Sequence, residues 1–549
     1  MSENWYEKRK FTRFLEIFPG GLAWSIILFP ILISPFYPIA VAVFIITFNL
    51  YWVSKAVNMV RHLLGGYFRM QRNMKIDWLD FCNRVSKSPK RFLSDLKKIH
   101  IKDGGRFLRE QIRELENCLE IKGAVKKIDQ IYHLVIITNY KESFEITKPT
   151  YEAIKNSNYP NNRIIVLGTG EYGRDKEGWN EVKRKLKKEY GNTFAGLYFN
   201  NHIDQPNEVI GKGPNLYSAG VKSLTYLKKY FPNLEYENII VTTLDADHIV
   251  HPEYLARLSY KYIIDPQRDN KTYQPVGLLF NNIWDAPAPN RIAAISSSFW
   301  QIVEGMRPYR LRTFASHAQP LSVLIKTDFW STQTIVEDGH QYWRTYFAFS
   351  GDHYMEPLLI PVYQDCVLDE SLWKTIKNQY NQRKRWAYGI SDFPYVIKKA
   401  IKHKEIPLNE RFLQSFRLIA GHISWSTASL LIAFAWLPLT FNKEFQDMVI
   451  VHNMMTYGVM LMRVAWIGLI ANAWIYLSLL PKRPERYGKH RYINMIIQWV
   501  FIAPVSIFIS SVPALEAQTR LMLGKYMNVF WLTPKYRKDS PTMKAHTGN

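Results

Sequence analysis

Cysteine is scarce in this chain, which has three among its 549 residues. Cys82, Cys118 and Cys366 form no C-x-x-C pair, and their spacing matches no disulfide framework. A fold held together by disulfides is therefore excluded. We expect the soluble part of the chain to face a reducing compartment, with each thiol buried as a small apolar side chain.

Acidic residues are also few relative to basic ones. The 71 Lys and Arg residues outnumber the 47 Asp and Glu residues, so the formal net charge is +24. Such a charge is typical of nucleic-acid binding, or of a protein whose basic residues flank membrane segments on the cytoplasmic side. Because basic runs such as residues 482–491 adjoin apolar segments, we favour the membrane interpretation and expect no nucleic-acid partner.

The chain lacks the features of a cleavable signal peptide, since no small-residue cleavage site follows the first apolar stretch and a second one continues it. Apolar stretches instead recur at both ends of the chain, although a mean hydropathy of −0.20 excludes a protein that lies mostly in lipid. They cover residues 20–36, 39–58, 416–441, 449–480 and 493–515.

The first two stretches predict a transmembrane hairpin with both ends in the cytoplasm, because basic residues precede and follow them. The number of C-terminal crossings stays open, because three would leave the basic tail on the outer side and a fourth or a re-entrant piece would avoid this. We expect a multi-pass protein of the cell (inner or plasma) membrane with its central domain in the cytoplasm.

Between the apolar ends, residues 130–375 alternate between strand and helix patterns. The candidate strands are residues 133–138, 163–167, 194–199, 238–244 and 275–279. This alternation predicts an α/β fold with a mostly parallel sheet and helices on both faces. The predicted organisation is a transmembrane hairpin (1–60), an amphipathic helical linker layer (61–128), an α/β domain (129–390), an interfacial amphipathic helix (391–412), C-terminal transmembrane helices (413–520) and a basic tail (521–549).

Two carboxylates end the candidate strand 238–244, in the sequence Asp245-Ala246-Asp247-His248. Oxygen ligands suit Mg²⁺ or Mn²⁺, which bind phosphates beside one or two carboxylates, and His248 offers a further ligand. A solvated turn is the alternative.

Later in the chain, Glu337 precedes Asp338, our candidate for a general base that takes a proton from an attacking hydroxyl. The alternative for this pair is an ordinary helix N-terminus.

A third group of residues follows as Gln382-Arg383-Lys384-Arg385-Trp386. Arginine binds phosphate oxygens in a bidentate manner, and a neighbouring indole can stack on a sugar ring. The alternative is a basic stretch at the membrane surface. Carboxylates for a metal, cations for phosphate and an aromatic face for a sugar together indicate a nucleotide-sugar transferase.

A glycine run, Gly168-Thr169-Gly170-Glu171-Tyr172-Gly173, matches the dinucleotide fingerprint G-x-G-x-x-G after a strand. That fingerprint requires an acidic residue at the end of the next strand, where this chain has Asn200 and Asn201. We therefore disfavour a dinucleotide-dependent oxidoreductase and expect a turn near a nucleotide or a purely structural role.

Taken in order, these motifs resemble those of the membrane-integrated family 2 glycosyltransferases, which include the cellulose, chitin and hyaluronan synthases. The resemblance covers about residues 15–540 and extends to Thr138-Asn139-Tyr140-Lys141-Glu142 and to a final Thr533-Pro534-Lys535. It implies a GT-A-like, Rossmann-like catalytic domain between transmembrane helices.

The resemblance also implies roles for individual residues. Asp338 would be the catalytic base of a T-E-D motif in which Val336 replaces Thr. The donor and its diphosphate would be bound by Asp245, Asp247, Lys212 and Arg385, a metal by Asp245, Asp247 and His248, and the acceptor by Gln382, Trp386 and Glu337. Phe314-Ala315-Ser316-His317 lies where the acceptor-contacting finger loop is expected.

The implied reaction is a single inverting displacement on a nucleotide-sugar, with Mg²⁺ or Mn²⁺ and a glycan or lipid-linked acceptor. We expect a UDP-sugar, although Leu167-Gly168-Thr169-Gly170 replaces the usual Asp-Asp-Gly and Glu171 would have to substitute. A processive polysaccharide synthase is favoured, exporting its product past polar residues such as His422 and Arg463. The alternatives are a non-processive transferase acting on a lipid carrier and a membrane scaffold or receptor without catalysis.

Overall fold

The computed structural model describes residues 6–442, 446, 468–529 and 531. These residues divide into two compact units. The helical unit comprises the described residues of 1–67, 279–306 and 366–538, and the sheet unit comprises residues 68–278 and 307–365. The basic tail from residue 532 onward, with Thr533-Pro534-Lys535, and Arg463 with most of the predicted apolar segment 449–480 lie outside the described residues.

The sheet unit contains one eight-stranded sheet in the order β3-β2-β1-β4-β7-β6-β8-β5. Its strands are β1 Tyr132–Asn139, β2 Ile164–Glu171, β3 Gly196–His202, β4 Ile239–Asp245, β5 Ile249–Val250, β6 Lys271–Leu278, β7 Ala318–Pro320 and β8 Tyr354–Tyr363. Neighbours from β3 to β4 pair in parallel, and so do β6 and β8, whereas β7 is antiparallel to β4 and β6 and β5 is antiparallel to β8. All eight residues of β2 are buried, which explains why its apolar run is continuous.

Helices cover both faces of this sheet, as the alternating pattern predicts. They are α3 Trp78–Lys87, α4 Pro89–Asp103, α5 Arg106–Glu120, α6 Phe144–Lys155, α7 Lys176–Tyr190, α8 Lys212–Tyr230, α9 Tyr254–Ile263, α11 Leu321–Lys326 and α12 Glu337–Ala348. Val135 packs in one core with residues of α6, α7, α9 and the α3–α5 layer, and its neighbour Leu134 packs in a second core with residues of α8 and α11. The period of two in a strand thus separates the two cores.

The helical unit is built from long apolar helices and shorter segments. These are α1 Arg9–Ile33, α2 Pro38–Asn73, which continues into the sheet unit, α10 Ala288–Gly305, α13 Leu372–Ala387, α14 Asp392–Lys402, α15 Leu408–Phe434, α16 Leu437–Thr440, α17 Gly468–Leu479, α18 Arg491–Ile497, α19 Ile502–Pro504 and α20 Val512–Met522. Within the described residues, four segments are long and apolar enough to span a membrane: Arg9–Ile33, Pro38–Asn73, Leu408–Thr440 and Arg491–Met522.

The expected fold class is confirmed, because an α/β unit with a mostly parallel central sheet lies in sequence between apolar helices. All five candidate strands overlap strands of the sheet, with bounds that differ by up to four residues. The amphipathic helix expected after residue 391 is α14, whose apolar residue Phe393 stacks on Phe18 of α1 at 6.1 Å between ring centroids. Its placement in the headgroup plane stays a prediction.

The glycine run differs from the dinucleotide fingerprint in its conformation. Gly168 and Gly170 lie within strand β2 and form no turn toward a helix N-terminus. A Cβ on Gly170 would come 2.6 Å from Cγ of Trp179, whose indole fills this space and donates a 2.9 Å hydrogen bond to Asn201. The first two glycines of the run therefore have a packing role.

We expect Gly170→Ala to destabilise the sheet unit by about 1–3 kcal/mol, because the added methyl group forces Trp179 out of its packing position. The matched control is Gly173→Ala in the same run, where the nearest atom would be 3.6 Å from the new Cβ. The measurement is the thermal unfolding midpoint of the detergent-purified protein. Equal midpoints for the two variants would contradict the packing explanation.

Candidate active site

The segment Asp245-Ala246-Asp247-His248 lies at the carboxyl end of β4, which pairs in parallel with β1. The hydroxyl of Thr150 in α6 donates a 2.7 Å hydrogen bond to the carbonyl of Ala246 and fixes the turn between the two carboxylates. Carboxyl ends of parallel strands are where α/β sheets present ligand-binding residues. The backbone thus holds both carboxylates at such an edge.

The second carboxylate, Asp247, is fully buried. Its Oδ2 accepts a 2.9 Å hydrogen bond from the backbone N–H of Asp365, just beyond β8. Because a buried polar group without a hydrogen-bond partner is costly, this contact helps to hold Asp247 in its buried position. The sequence contains no signal for this partner, because it depends on the pairing of β8 within the sheet.

Lys212 is the first residue of α8, and its ammonium donates to Oδ1 of Asp245. Burial lowers the pKa of this ammonium, but the charges of Asp245, Glu337 and Asp338 more than offset that effect and raise the pKa above its usual value. Lys212 therefore remains positively charged at neutral pH. Its charge lies close enough to the three carboxylates to be stabilised by all of them.

Gly213 explains how the start of α8 approaches these carboxylates. A Cβ at this position would overlap the carbonyl oxygen of Ser331 and lie 3.1 Å from Cβ of Glu337. Any larger residue would separate the first turn of α8 from the first turn of α12. The Gly-Lys-Gly sequence thus places Lys212 beside Glu337 and Asp338.

Glu337 and Asp338 occupy the first turn of α12, with Glu337 buried and Asp338 partly exposed. Oδ1 of Asp338 accepts a 2.8 Å hydrogen bond from the backbone N–H of Gly339. The hydroxyl of Thr313 donates a 2.5 Å hydrogen bond to the backbone carbonyl of Asp338. The backbone of Asp338 is therefore held in place, and the residue is only half-buried. A general base must lie within hydrogen-bond reach of the proton that it takes.

His248 is buried beside Asp245. Its Nδ1 lies 3.1 Å from the backbone N–H of Asp245 and 2.8 Å from the hydroxyl of Ser316, whereas Nε2 lies 3.4 Å from Oδ2 of Asp245. A backbone N–H can only donate, so Nδ1 accepts and a neutral ring carries its proton on Nε2. Asp245, Asp247 and His248 each offer a ligand atom within 4.8 Å of the others.

The segment expected to be a finger loop, residues 314–317, is hydrogen-bonded to its surroundings in the sheet unit. The backbone N–H of Phe314 donates to Gln274 at 2.9 Å, and the hydroxyl of Thr243 in β4 donates to the carbonyl of Ala315 at 3.0 Å. Burial lowers the pKa of His317 to about 4, so its ring is neutral at neutral pH. This segment supports the end of β4 through Ser316 and His248.

The remaining predicted site residues, Gln382, Arg385 and Trp386, belong to the helical unit and lie on α13. Their spacing of three and four residues puts them on one face of the helix. Arg383 instead donates a 2.6 Å hydrogen bond to the carbonyl of Ala293, and Lys384 forms a 3.0 Å salt bridge with Glu516. Arg383 and Lys384 therefore have structural contacts, and the participation of Gln382, Arg385 and Trp386 in the site stays a prediction.

A second cluster of possible ligands lies at the ends of β2 and β3, where Glu171, His202 and Asp204 approach one another. Arg174 joins it through salt bridges of 2.6 Å to Glu171 and 3.1 Å to Asp204. The cation that links these carboxylates is thus a guanidinium, which makes the cluster an ion-pair network. Burial lowers the pKa of His202, but Glu171 and Glu208 more than offset this and raise it.

No family model and no curated protein matches this chain. Among solved structures, it is similar to the mannosyltransferase PcManGT from Pyrobaculum calidifontis in complex with GDP-Man and Mn2+, with 12% identity, a TM-score of 0.43 and coverage of 81% of this chain and 100% of that one. It is also similar to S. aureus TarS 1-349 in complex with UDP-GlcNAc, with 9% identity, a TM-score of 0.30 and coverage of 72% and 93%. Similarities of this size leave the activity, donor and acceptor of this chain to be proposed.

The raised pKa of His202 predicts a pH-dependent stability. Its contribution is fully present below the unfolded-state pKa of about 6.5 and is lost as the pH rises through the higher folded-state pKa. We expect the unfolding midpoint to fall more steeply between about pH 6 and 8 in the wild type than in His202→Gln. The exposed His490 provides the control variant His490→Gln, which should keep the wild-type slope. Parallel curves for all three proteins would contradict the expectation.

Proposed function

We propose that this chain is an inverting, metal-dependent glycosyltransferase of the membrane-integrated family 2 type, with a GT-A-like catalytic domain. The observation that carries the proposal is the meeting of Asp245, Asp247, Lys212 and Asp338 around the carboxyl end of β4. A lysine and two carboxylates suit a metal-bound diphosphate, and the half-buried Asp338 nearby suits proton removal from an acceptor.

The carboxylates of Asp245 and Asp247 would hold Mg²⁺ or Mn²⁺, because both supply oxygen atoms and Asp247 is already held in place by Asp365. When bound, the cation would neutralise part of the charge on the diphosphate of the donor. His248 is a weaker ligand, because its Nε2 carries the proton in the observed hydrogen-bond pattern. We propose that it supports Asp245 and would bind metal only after a change of tautomer.

In the proposed reaction Asp338 takes the proton of an acceptor hydroxyl, and the oxygen attacks the anomeric carbon of an α-linked nucleotide-sugar. The new carbon–oxygen bond forms as the bond to the diphosphate breaks, and the diphosphate leaves with the bonding electrons. Lys212 stabilises this developing negative charge, a contribution that is commonly the largest in such reactions. We propose that Arg385 contributes to the same stabilisation and that Glu337, Gln382 and Trp386 contact the acceptor.

We favour a processive polysaccharide synthase that transfers the sugar at the cytoplasmic face and exports the product through the membrane helices. The motif on α13 and the several apolar segments support this reading. The alternative is a single transfer to a lipid-linked acceptor, which the fixed, non-standard segment 314–317 supports. Incubation with labelled donor followed by sizing of the product distinguishes a polymer from a single-sugar lipid.

We propose a nucleotide-sugar as donor, with UDP-sugars favoured by the family resemblance. In this chain, residues of β2 stand where the family usually has Asp-Asp-Gly, so Glu171 is the acidic side chain at the end of β2. Arg174 and His202 already bind the carboxylate of Glu171. A screen of UDP-, GDP- and other nucleotide-sugars for metal-dependent diphosphate release tests the proposal. Absence of release with every donor, in protein that retains its fold, would refute it.

Replacement of the proposed base provides a sharper test. We expect Asp338→Asn to lower the transfer rate by about 10²–10⁴-fold, because the amide cannot accept the proton. The matched control is Asp328→Asn, an equally small change at an exposed residue whose positive φ of 51° an asparagine adopts readily. Unchanged transfer by Asp338→Asn, or equal losses in both variants, would rule out the assigned role.

Metal binding can be measured without turnover. We expect Asp247→Asn to weaken Mn²⁺ binding about tenfold or more in titrations followed by electron paramagnetic resonance, because one of the two proposed carboxylate ligands loses its charge. Asp204→Asn, which alters the cluster linked by Arg174, should leave Mn²⁺ binding unchanged. If Asp204→Asn weakened Mn²⁺ binding and Asp247→Asn did not, the metal site would instead lie at the ends of β2 and β3.

A further inference from the structure

The helical unit contains a cavity of about 280 Å³ between the start of α10 and the segment Arg491–Met522. Its lining combines two arginines and two amides with apolar side chains: Arg291, Arg491, Asn494, Gln498, Ile497 and Phe501. We call it the arginine pocket. None of the described residues that line it carries a carboxylate, so these side chains have a net positive charge.

Within the described part of the chain, only neutral groups accept hydrogen bonds from the two arginines, and the buried Nε of Arg491 has no hydrogen-bond partner there. The buried Arg291 donates to Oε1 of Gln498 at 2.5 Å and to the carbonyl of Ala286 at 2.6 Å. Arg491 donates to the carbonyl of Trp284 at 3.0 Å. Neither forms a salt bridge with a described residue, so two positive charges share one cavity without a counter-charge.

The nearest acidic residue in sequence, Asp285, is engaged elsewhere. It forms a 2.8 Å salt bridge with Arg486 and accepts a 2.5 Å hydrogen bond from the hydroxyl of Tyr487. Burial lowers the pKa of Arg291, and the charge of Arg491 acts in the same direction. An anion in the cavity would relieve this repulsion and would supply the counter-charge that the described residues lack.

The position of the cavity indicates where such an anion comes from. Arg491 begins a segment that is apolar enough to span a membrane, and the preceding loop, 482–490, is basic. About two and three turns into that segment, Ile497 and Phe501 are exposed apolar side chains. Charged groups at the membrane end of a helix with apolar side chains beyond them match a phosphate headgroup with acyl chains.

We propose that the arginine pocket binds the phosphate of an anionic phospholipid from the surrounding bilayer. Arg291 and Arg491 contact the phosphate oxygens, Asn494 and Gln498 contact the polar part of the headgroup, and the acyl chains lie along Ile497 and Phe501. None of these residues belongs to the proposed sugar-transfer site, so the lipid proposal does not rest on the proposed function.

Native mass spectrometry of the delipidated full-length protein, with added short-chain phosphatidylglycerol or phosphatidylcholine, tests the proposal. We expect one tightly bound phosphatidylglycerol per chain, in preference to phosphatidylcholine. Arg491→Gln should weaken its binding by about tenfold or more, because a charged hydrogen bond to phosphate is lost. Lys489→Gln, which removes the same charge from an exposed loop position, should bind like the wild type.

Asn494→Asp provides a second variant that leaves the arginines in place, because Asn494 is an exposed residue of the lining. Its added negative charge should weaken phosphatidylglycerol binding, whereas Asn494→Gln should not. Binding unaffected by either charge change, or equal binding of both lipids, would overturn the proposal. Displacement of the lipid by millimolar inorganic phosphate would also overturn it, because the site would then be one for free phosphate.

Discussion

The ion pair between Lys212 and Asp245 joins the first residue of α8 to the last residue of β4, and the organisation of the candidate site depends on it. A lysine buried among carboxylates is stable only because their charges offset the cost of removing it from water. Each member of the group therefore needs the others. Without Lys212, the negative charges of Asp245, Glu337 and Asp338 would repel one another. Without the carboxylates, Lys212 would be an isolated buried cation.

The close approach that this pair requires limits the residues around it. Gly213 has no side chain, which lets the start of α8 reach Ser331 and Glu337. Thr150 and Asp365 fix the turn after β4 from two other elements. The charged groups are thus held by a side-chain hydroxyl of α6 and by a backbone N–H just beyond β8, so little reorganisation is needed when a charged ligand binds.

The sequence predicts the strongly apolar strands and the residues at their ends, because buried parallel strands are continuous apolar runs and their carboxyl ends carry the polar residues. It does not predict β8, whose Pro357 and Pro361 argue against a strand, nor β5 and β7, which are too short to have a pattern. The supporting contacts of Thr150, Ser316 and Asp365 could not be predicted either, because the local sequence carries no pattern for them. Each is a common polar residue whose partner is brought close only by tertiary structure.

The helix that carries the Gln382–Trp386 motif has a mechanical property that its composition does not reveal. Tyr380 and Lys384, one turn apart on α13, both bond to the carboxylate of Glu516 on α20, at 2.7 and 3.0 Å. A sliding movement of α13 along its own axis would break both contacts or carry α20 with it. Arg385 and Trp386 are consequently coupled to the last long apolar segment, and a shift of that segment would change the position of both side chains.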